Sequence, residues 1–572
     1  MNKNKEEKYL WEHYYKKEDL NIKIPNKSLY DYMIDNTKEY KDLDAINYFG
    51  KKITFKDFWN YIDLCAKALK SFGVREKDVV TICMPNTPEA VISFFAINKI
   101  GAISNMIHPL SGEEEIKEYL NTTNSTFLIL FNSVYPKVRN IIKDTKVYKV
   151  VIASASDGMP LFLNRLYNIT KERKEEKPKN NSLYIFWKDF IKNGYSYDGN
   201  TSFPTNKEDD AVILHSGGTT GIPKSIVLPN RCFTGVLEQS KICFYKVKPK
   251  DTLLSVLPMF HCFGLVVCIY VPICLGLTAI LIPSFDAKRF DKLLTKYEPN
   301  VISGVPTLYE ALLTNEHMDG VDLSKVKYLM SGGDTLSIQK NKEVNEFLKK
   351  HGCKETVTQG YGMTETTGPV TFGSMGSDKL GSVGAPLPGN IVKICDPETF
   401  KELKPNEKGE ICISSFVTMK GYLNNESATK EVFKLHDDGK YYIHTGDIGY
   451  LDEDGVLFYV SRIKRIIVSS GYNVYPQYIE NTLRELDFIK DACVVGIPHP
   501  YKVEIPIAFI KLKDDIKLSY TIRKKIMDHV KKNLSHFMIP KEYIFKSEFP
   551  KTKLGKTDYN ELQKEAINNK NK

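Results

Sequence analysis

Within residues 54–131 two hydrophobic periods take turns, and that alternation restricts the fold of this chain more than any other feature of it. Phe55, Phe58, Ile62, Cys65 and Leu69 share one helical face, which Thr54 opens and Gly73 closes. Residues 78–84 read as a strand, and Pro88 and Glu89 start a helix that ends at Gly101. Ser111-Gly112-Glu113-Glu114 is a capping box for the next helix, and residues 125–131 are again a strand. Strands separated by helices predict parallel sheets covered on both faces, the α/β class. After about residue 460 a smaller unit follows, with a helix over 478–486, strands over 493–497 and 505–512, and a helix over 520–534.

At 572 residues the chain holds two to four folding units. Residues 252–285 carry no Asp, Glu, Lys or Arg, enough on length alone for a membrane span. Gly264, Pro272 and Gly276 break that run, and Pro283 ends it, so a buried helix followed by a core strand is expected instead. The net charge of +10 is spread along the chain, which suits polyanionic small substrates and not a nucleic-acid partner. Eleven cysteines without a single CxxC pair point to a reducing, cytoplasmic setting, with the thiols as small apolar packers and no structural zinc site. Residues 1–8 lack the apolar core of a signal peptide, and Asn2 excludes a myristoylation start.

Chemistry concentrates in Ser216-Gly217-Gly218-Thr219-Thr220-Gly221-Ile222-Pro223-Lys224, which follows an apolar run at 211–214. Glycines let backbone N–H groups approach phosphate oxygens, the Ser216, Thr219 and Thr220 hydroxyls add donors, and Lys224 adds charge. Gly218 and Lys224 have the Walker A separation with Ser225 following, but Pro223 replaces the glycine before the lysine. This is a phosphate loop of another kind.

Together with several separated motifs, the loop resembles that of the AMP-forming adenylating superfamily, which includes acyl-CoA synthetases, luciferases and nonribosomal-peptide adenylation domains. The resemblance spans nearly the whole chain. Gln359-Gly360-Tyr361-Gly362-Met363-Thr364-Glu365 matches the superfamily's adenylate-binding turn. The match implies that Tyr361 and Gly362 lie on adenine, Thr364 contacts the α-phosphate and Glu365 holds Mg²⁺, a hard cation suited to oxygen. Gly332 and Gly333 would line the other face of adenine, with Asp334 where a small apolar residue is usual. His444-Thr445-Gly446-Asp447 alone reads as a turn, because it leads into an Asp452-Glu453-Asp454-Gly455 hairpin, and it resembles the ribose clamp, its Asp447 accepting from both hydroxyls. Ser461-Arg462-Ile463-Lys464 matches the hinge: Arg462 would also reach the ribose and Lys464 would be the pivot. Ser461 and Arg465 depart from the usual small or acidic residue and acid. Gly555-Lys556, in Pro550-Lys551-Thr552-Lys553-Leu554-Gly555-Lys556, matches the catalytic-lysine loop. The implied architecture is a large body of α/β subdomains (1–461) with a small mobile α+β domain (462–572) that withdraws Lys556 and presents Gly471 beside a thiol tunnel.

The implied reaction joins a carboxylate to AMP from ATP, releasing pyrophosphate, and then opens the anhydride with coenzyme A. Leu257-Pro258-Met259-Phe260-His261-Cys262-Phe263-Gly264 resembles the acyl-pocket segment, with His261 beside the carboxylate. Its apolar surroundings favour an apolar monocarboxylate. Trp11 with Tyr14-Tyr15, the insert at 159–167 and Ser470-Gly471-Tyr472-Asn473-Val474-Tyr475-Pro476 resemble bacterial long-chain fatty acid–CoA ligases in particular; Ser225 and Pro229-Asn230 depart from them. The expected substrates are therefore fatty acid, ATP and CoA, with Mg²⁺. Three alternatives stay open: an acyl carrier protein as acceptor, an aryl or arylalkanoic acid as substrate, and a nucleotide-binding sensor without chemistry. Met159, Phe162, Leu163, Leu166 and Ile169 share a helical face near Arg165, Lys171 and Arg173. That face, within 159–179, either packs on the body or touches an anionic membrane peripherally.

Overall fold

Thr54 accepts the Asp57 N–H through its hydroxyl at 3.1 Å and opens the helix Phe55–Ser71. The helix buries Phe55, Phe58, Ile62, Cys65 and Leu69, and Gly73 leaves it at φ +89°. Each of the Phe, Ile and Leu side chains contributes about 1.5–3 kcal/mol on burial. The computed structural model describes residues 9–170, 176–179, 181–216, 224–469, 472–499, 502–536, 538–552 and 556–570.

Two large sheets follow from the alternation. One runs Gly421–Tyr422, Lys224–Pro229, Asp210–Ser216, Ile103–Met106, Val79–Cys83, Phe127–Phe131, Lys149–Ala153, Tyr184–Phe186, and is parallel from its third strand onward. The other places Val357–Met363, Tyr328–Ser331, Val301–Gly304, Thr252–Ser255, Thr278–Leu281 and Asp44–Tyr48 side by side in parallel, with antiparallel strands at both ends. Helix Pro88–Lys99 is buried on nearly every side, and its Phe94 and Phe95 share a core with Val80 and Ile82 of the first sheet and Ala279 and Leu281 of the second. The uncharged stretch turns back on itself: a π-helix Phe263–Tyr270 runs into Val271–Cys274 and then the strand Thr278–Leu281. No described helix is long and apolar enough to cross a membrane.

Three local expectations need correction. The helix Glu113–Thr122 is capped by Gly112, whose N–H donates to Glu115 at 3.2 Å, so the box sits one residue later than Ser111 and Glu114 imply. His444–Asp447 is no free turn: it lies inside the eleven-residue strand Tyr441–Leu451, where Gly446 takes φ +70°. That strand centres a third, antiparallel sheet with Asn390–Cys395, Gly409–Ser415, Phe433–Leu435 and Leu457–Arg462, which sequence alternation did not reveal. Finally, the apolar face at 159–169 divides. Met159 is buried and Leu163 and Tyr167 pack on the core, whereas Leu161, Phe162, Leu166 and Ile169 of the helix Leu161–Thr170 are 50–84% exposed.

Beyond Arg465 the chain builds its own sheet from Ile467–Ser469, Tyr472–Val474, Ile489–His499, Val503–Leu512 and Glu542–Phe545. Helices Pro476–Arg484, Tyr520–Asn533 and Tyr559–Lys570 cover it, around cores that contain only residues from 467 onward.

Candidate active site

The strand Val357–Met363 ends in a tight 3-10 turn, Thr364–Thr366, and returns as Gly368–Phe372. The two strands approach so closely that a Cβ on Gly362 would lie 1.8 Å from the Gly368 carbonyl oxygen. Gly362→Ala is accordingly expected to lose about 1–3 kcal/mol of stability, read as a lower thermal midpoint. An unchanged midpoint would mean the turn opens freely.

At the foot of this turn stands Asp447, 2% exposed. The Tyr361 hydroxyl donates to its Oδ2 at 2.7 Å, and Arg462, its cross-strand partner, lies 2.8 Å from Oδ1. The Arg462 contact is an ion pair without hydrogen-bond alignment, so buried Oδ1 has no aligned donor among the described residues. Burial raises the Asp447 carboxyl above the usual carboxylate range, Arg462 opposes that rise and the charge of Glu365 adds to it. Tyr361 also faces the Tyr459 ring, with centroids 6.1 Å apart and planes 30° apart. Behind Tyr361, Trp11 and Tyr15 of the N-terminal arm pack into the same core.

At the top of the turn, Glu365 is buried, and its Oε1 accepts the Tyr422 hydroxyl at 2.9 Å. Lys224 lies 4.4 Å from the centre of the Tyr422 ring. This ammonium stands at the exit of the phosphate-type loop, since Lys224 pairs with Ser216 across the hairpin. The Lys224 ammonium on this aromatic wall can neutralise polyphosphate charge, and the hard carboxylate oxygens of Glu365 are the donor type that magnesium takes.

Lys556 closes a third side: its Nζ donates to the Gly333 carbonyl. Gly333 sits at φ +78°, and a Cβ on Gly332 would lie 3.4 Å from the Phe263 ring and from the Gly360 carbonyl oxygen. His261 is pushed down to about 4 by burial, with His108 and Lys556 adding to the effect. It is therefore neutral at pH 7, with the Phe260 ring centroid 4.6 Å from its own. Lys464 lies on the 3-10 turn Ile463–Arg465, where the antiparallel sheet hands over to the C-terminal sheet. Gly217, Gly218, Thr219, Thr220, Gly221 and Gly471 lie outside the described residues.

Residues 34–423 match the AMP-binding enzyme family, and residues 478–556 match the AMP-binding enzyme C-terminal domain. The chain belongs to the AMP-binding enzyme family. Among its relatives, a long-chain-fatty-acid–CoA ligase of Bacillus subtilis (strain 168) is 31% identical, with 96% of each chain covered. A 4-coumarate:CoA ligase of Petunia hybrida is 30% identical over 92% of each. The crystal structure of the anthranilate CoA ligase AuaEII with anthranoyl-AMP superposes with a TM-score of 0.83 at 22% identity, covering 97% of this chain and all of that one.

Several residues of this AMP-binding enzyme were invisible to motif reading. Tyr422 reaches Glu365 because the two-residue strand Gly421–Tyr422 adds to the edge of Lys224–Pro229, a pairing between distant segments. Tyr459 and His108 meet Tyr361 and His261 the same way. Arg465, where an acid is usual, pairs with buried Glu480 and lies 4.8 Å from the centre of the Tyr559 ring, which ties the turn to the C-terminal unit.

Proposed function

We propose that this protein is an AMP-forming fatty acid–CoA ligase, acting in the cytoplasm. One observation supports it above others: a buried carboxylate, Asp447, with an oxygen lacking an aligned donor, stands beside Tyr361 and near enough to Glu365 to feel its charge. Asp447 Oδ1 suits a ribose hydroxyl, Tyr361 and Gly332–Gly333 flank the adenine, and Arg462 holds the carboxylate in place. Ser216, Lys224 and the loop N–H groups of 217–221 draw charge off the β- and γ-phosphates. Magnesium, held by Glu365, would supply further neutralisation of the phosphates. Thr364 hydrogen-bonds an α-phosphate oxygen while Lys556 holds the fatty carboxylate in line with the phosphorus. A carboxylate oxygen then forms a bond to the α-phosphorus as the bond to pyrophosphate breaks. Positioning and charge account for this step, because no proton has to move.

Neutral His261 and the aromatic wall around it favour a long apolar acid, since no charged side chain occurs within residues 252–285 to hold a second polar group. In the second step the thiolate of CoA attacks the acyl carbon and AMP leaves. We assign residues 1–461 to the body and 462–572 to a cap that swings about Lys464, taking Lys556 out and bringing Gly471 to the thiol. The separate cores beyond residue 467 support a rigid cap. An aryl acid is the second reading, favoured by the 4-coumarate–CoA ligase relative. Rates with fatty acids of medium and long chain, 4-coumarate and anthranilate, given ATP, Mg²⁺ and either CoA or a carrier protein, separate these readings. Fatty acids with CoA are expected to be fastest; preference for an aromatic acid, or for a carrier protein, overturns the assignment.

The exposed Leu161, Phe162, Leu166 and Ile169 support a peripheral contact with an anionic membrane from which fatty acid is collected. The protein is expected to co-sediment with anionic vesicles at low salt. Phe162→Asp with Ile169→Asp should weaken that binding by about tenfold or more. Absence of binding by the unaltered protein removes the contact.

A further inference from the structure

The antiparallel sheet gathers thiols and imidazoles on one side. Cys395 ends the strand Asn390–Cys395, Cys412 lies on the neighbouring Gly409–Ser415, and His436 follows the strand Phe433–Leu435. Donor atoms of these three residues lie within 4.8 Å of one another. Both cysteines are fully buried, and His436 is half-buried. Cys412 also belongs to a second group with Glu410 and His444, again within 4.8 Å.

Hydrogen-bond contacts tie this cluster together, with Cys412 Sγ 3.7 Å from His444 Nδ1 and 3.8 Å from its Nε2. His444 Nδ1 lies 2.7 Å from Glu410 Oε2, and His444 Nε2 lies 3.0 Å from His436 Nε2. In a neutral His444 ring that donates its Nδ1 proton to the Glu410 carboxylate, Nε2 is the acceptor. In that tautomer His436 donates through Nε2 and keeps the lone pair of its ring on Nδ1. A carboxylate–imidazole chain that fixes the tautomer of a further imidazole is the arrangement found behind metal-binding histidines. A tetrahedral zinc spaces its sulfur and nitrogen ligands about 3.5–3.8 Å apart, so small side-chain rotations suffice to close the site.

We propose that Cys395, Cys412 and His436 bind one zinc ion, with water in the fourth position at the half-exposed edge and with His444 and Glu410 orienting His436. Two thiolates and an imidazole select zinc over magnesium or calcium, and binding releases the two thiol protons. The paired strands bring together cysteines that are far apart in sequence, which is why the missing CxxC pointed the other way. The ion is tied to the nucleotide strand: the Gly446 N–H donates to Glu410 Oε1 at 2.9 Å, and Asp447 is the next residue.

Cobalt(II) titration of the full chain, reduced and stripped with a chelator, tests the site. One cobalt per chain is expected, with thiolate-to-cobalt charge-transfer absorption and tetrahedral ligand-field bands that zinc abolishes. Cys395→Ser and His436→Ala should each lose these bands, while Cys493→Ser, a buried cysteine in the C-terminal unit, keeps them. His436→Ala removes only a half-buried ring, so a folded variant is available. Absence of the charge-transfer band in the unaltered protein, or its survival in both ligand variants, overturns the proposal and leaves the two cysteines as core packing.

Discussion

Replacing Lys556 with alanine is expected to slow formation of the acyl-adenylate by about 10²–10³-fold, the loss that follows removal of one preorganised group at a developing charge. Thioester formation from supplied acyl-adenylate should change no more than a few-fold, because the proposed swing of the cap carries the lysine away before that step. The side chain is exposed and its described hydrogen bond goes to the Gly333 carbonyl, so the variant should melt where the parent does. Single-turnover rates for the two half-reactions, measured separately, check this. Equal loss in both would make Lys556 a structural residue.

Asp447→Asn is expected to separate function from stability. Each charge-assisted hydrogen bond to a ribose hydroxyl is worth about 1.5–3 kcal/mol. Losing the charge should therefore lower kcat/KM for ATP by about 10²-fold. The sign on stability is opposite. Burial outweighs Arg462 and raises the folded-state carboxyl above its unfolded value, so ionised Asp447 opposes folding once the pH exceeds the unfolded pKa. Asparagine removes that cost, so at neutral pH the variant should melt no lower than the parent. At a pH below the unfolded pKa, where Asp447 is protonated in both states, the difference should vanish. Melting curves across pH beside ATP kinetics test both halves; a variant less stable at neutral pH would show that the Arg462 pair dominates after all.

How legible the chain was depended on the range of the interactions. The helix Phe55–Ser71 could be read because its cap, apolar face and closing glycine are all local. The uncharged segment at 252–285 was read as helix then strand because Gly264, Pro272 and Gly276 interrupt it, although the π-geometry of Phe263–Tyr270 left no mark in the sequence. The strand Tyr441–Leu451 was missed, since His-Thr-Gly-Asp has turn composition and only pairing with Gly409–Ser415 and Leu457–Arg462 keeps it extended. In the cleft, Tyr361, Asp447 and Arg462 could be named from motifs, while Tyr422 depends on an edge strand two residues long. The face at 159–169 misled because helical spacing cannot say which side meets the core: Leu163 packs and Phe162 does not.

In the proposed reaction a carboxylate oxygen becomes bonded to the α-phosphorus of ATP. A fatty acid carrying heavy oxygen in its carboxylate, turned over with ATP, Mg²⁺ and CoA, tests it by mass spectrometry of the products. One labelled oxygen per molecule is expected in AMP, with pyrophosphate unlabelled. ADP as the nucleotide product, with the label in inorganic phosphate, would contradict the mechanism.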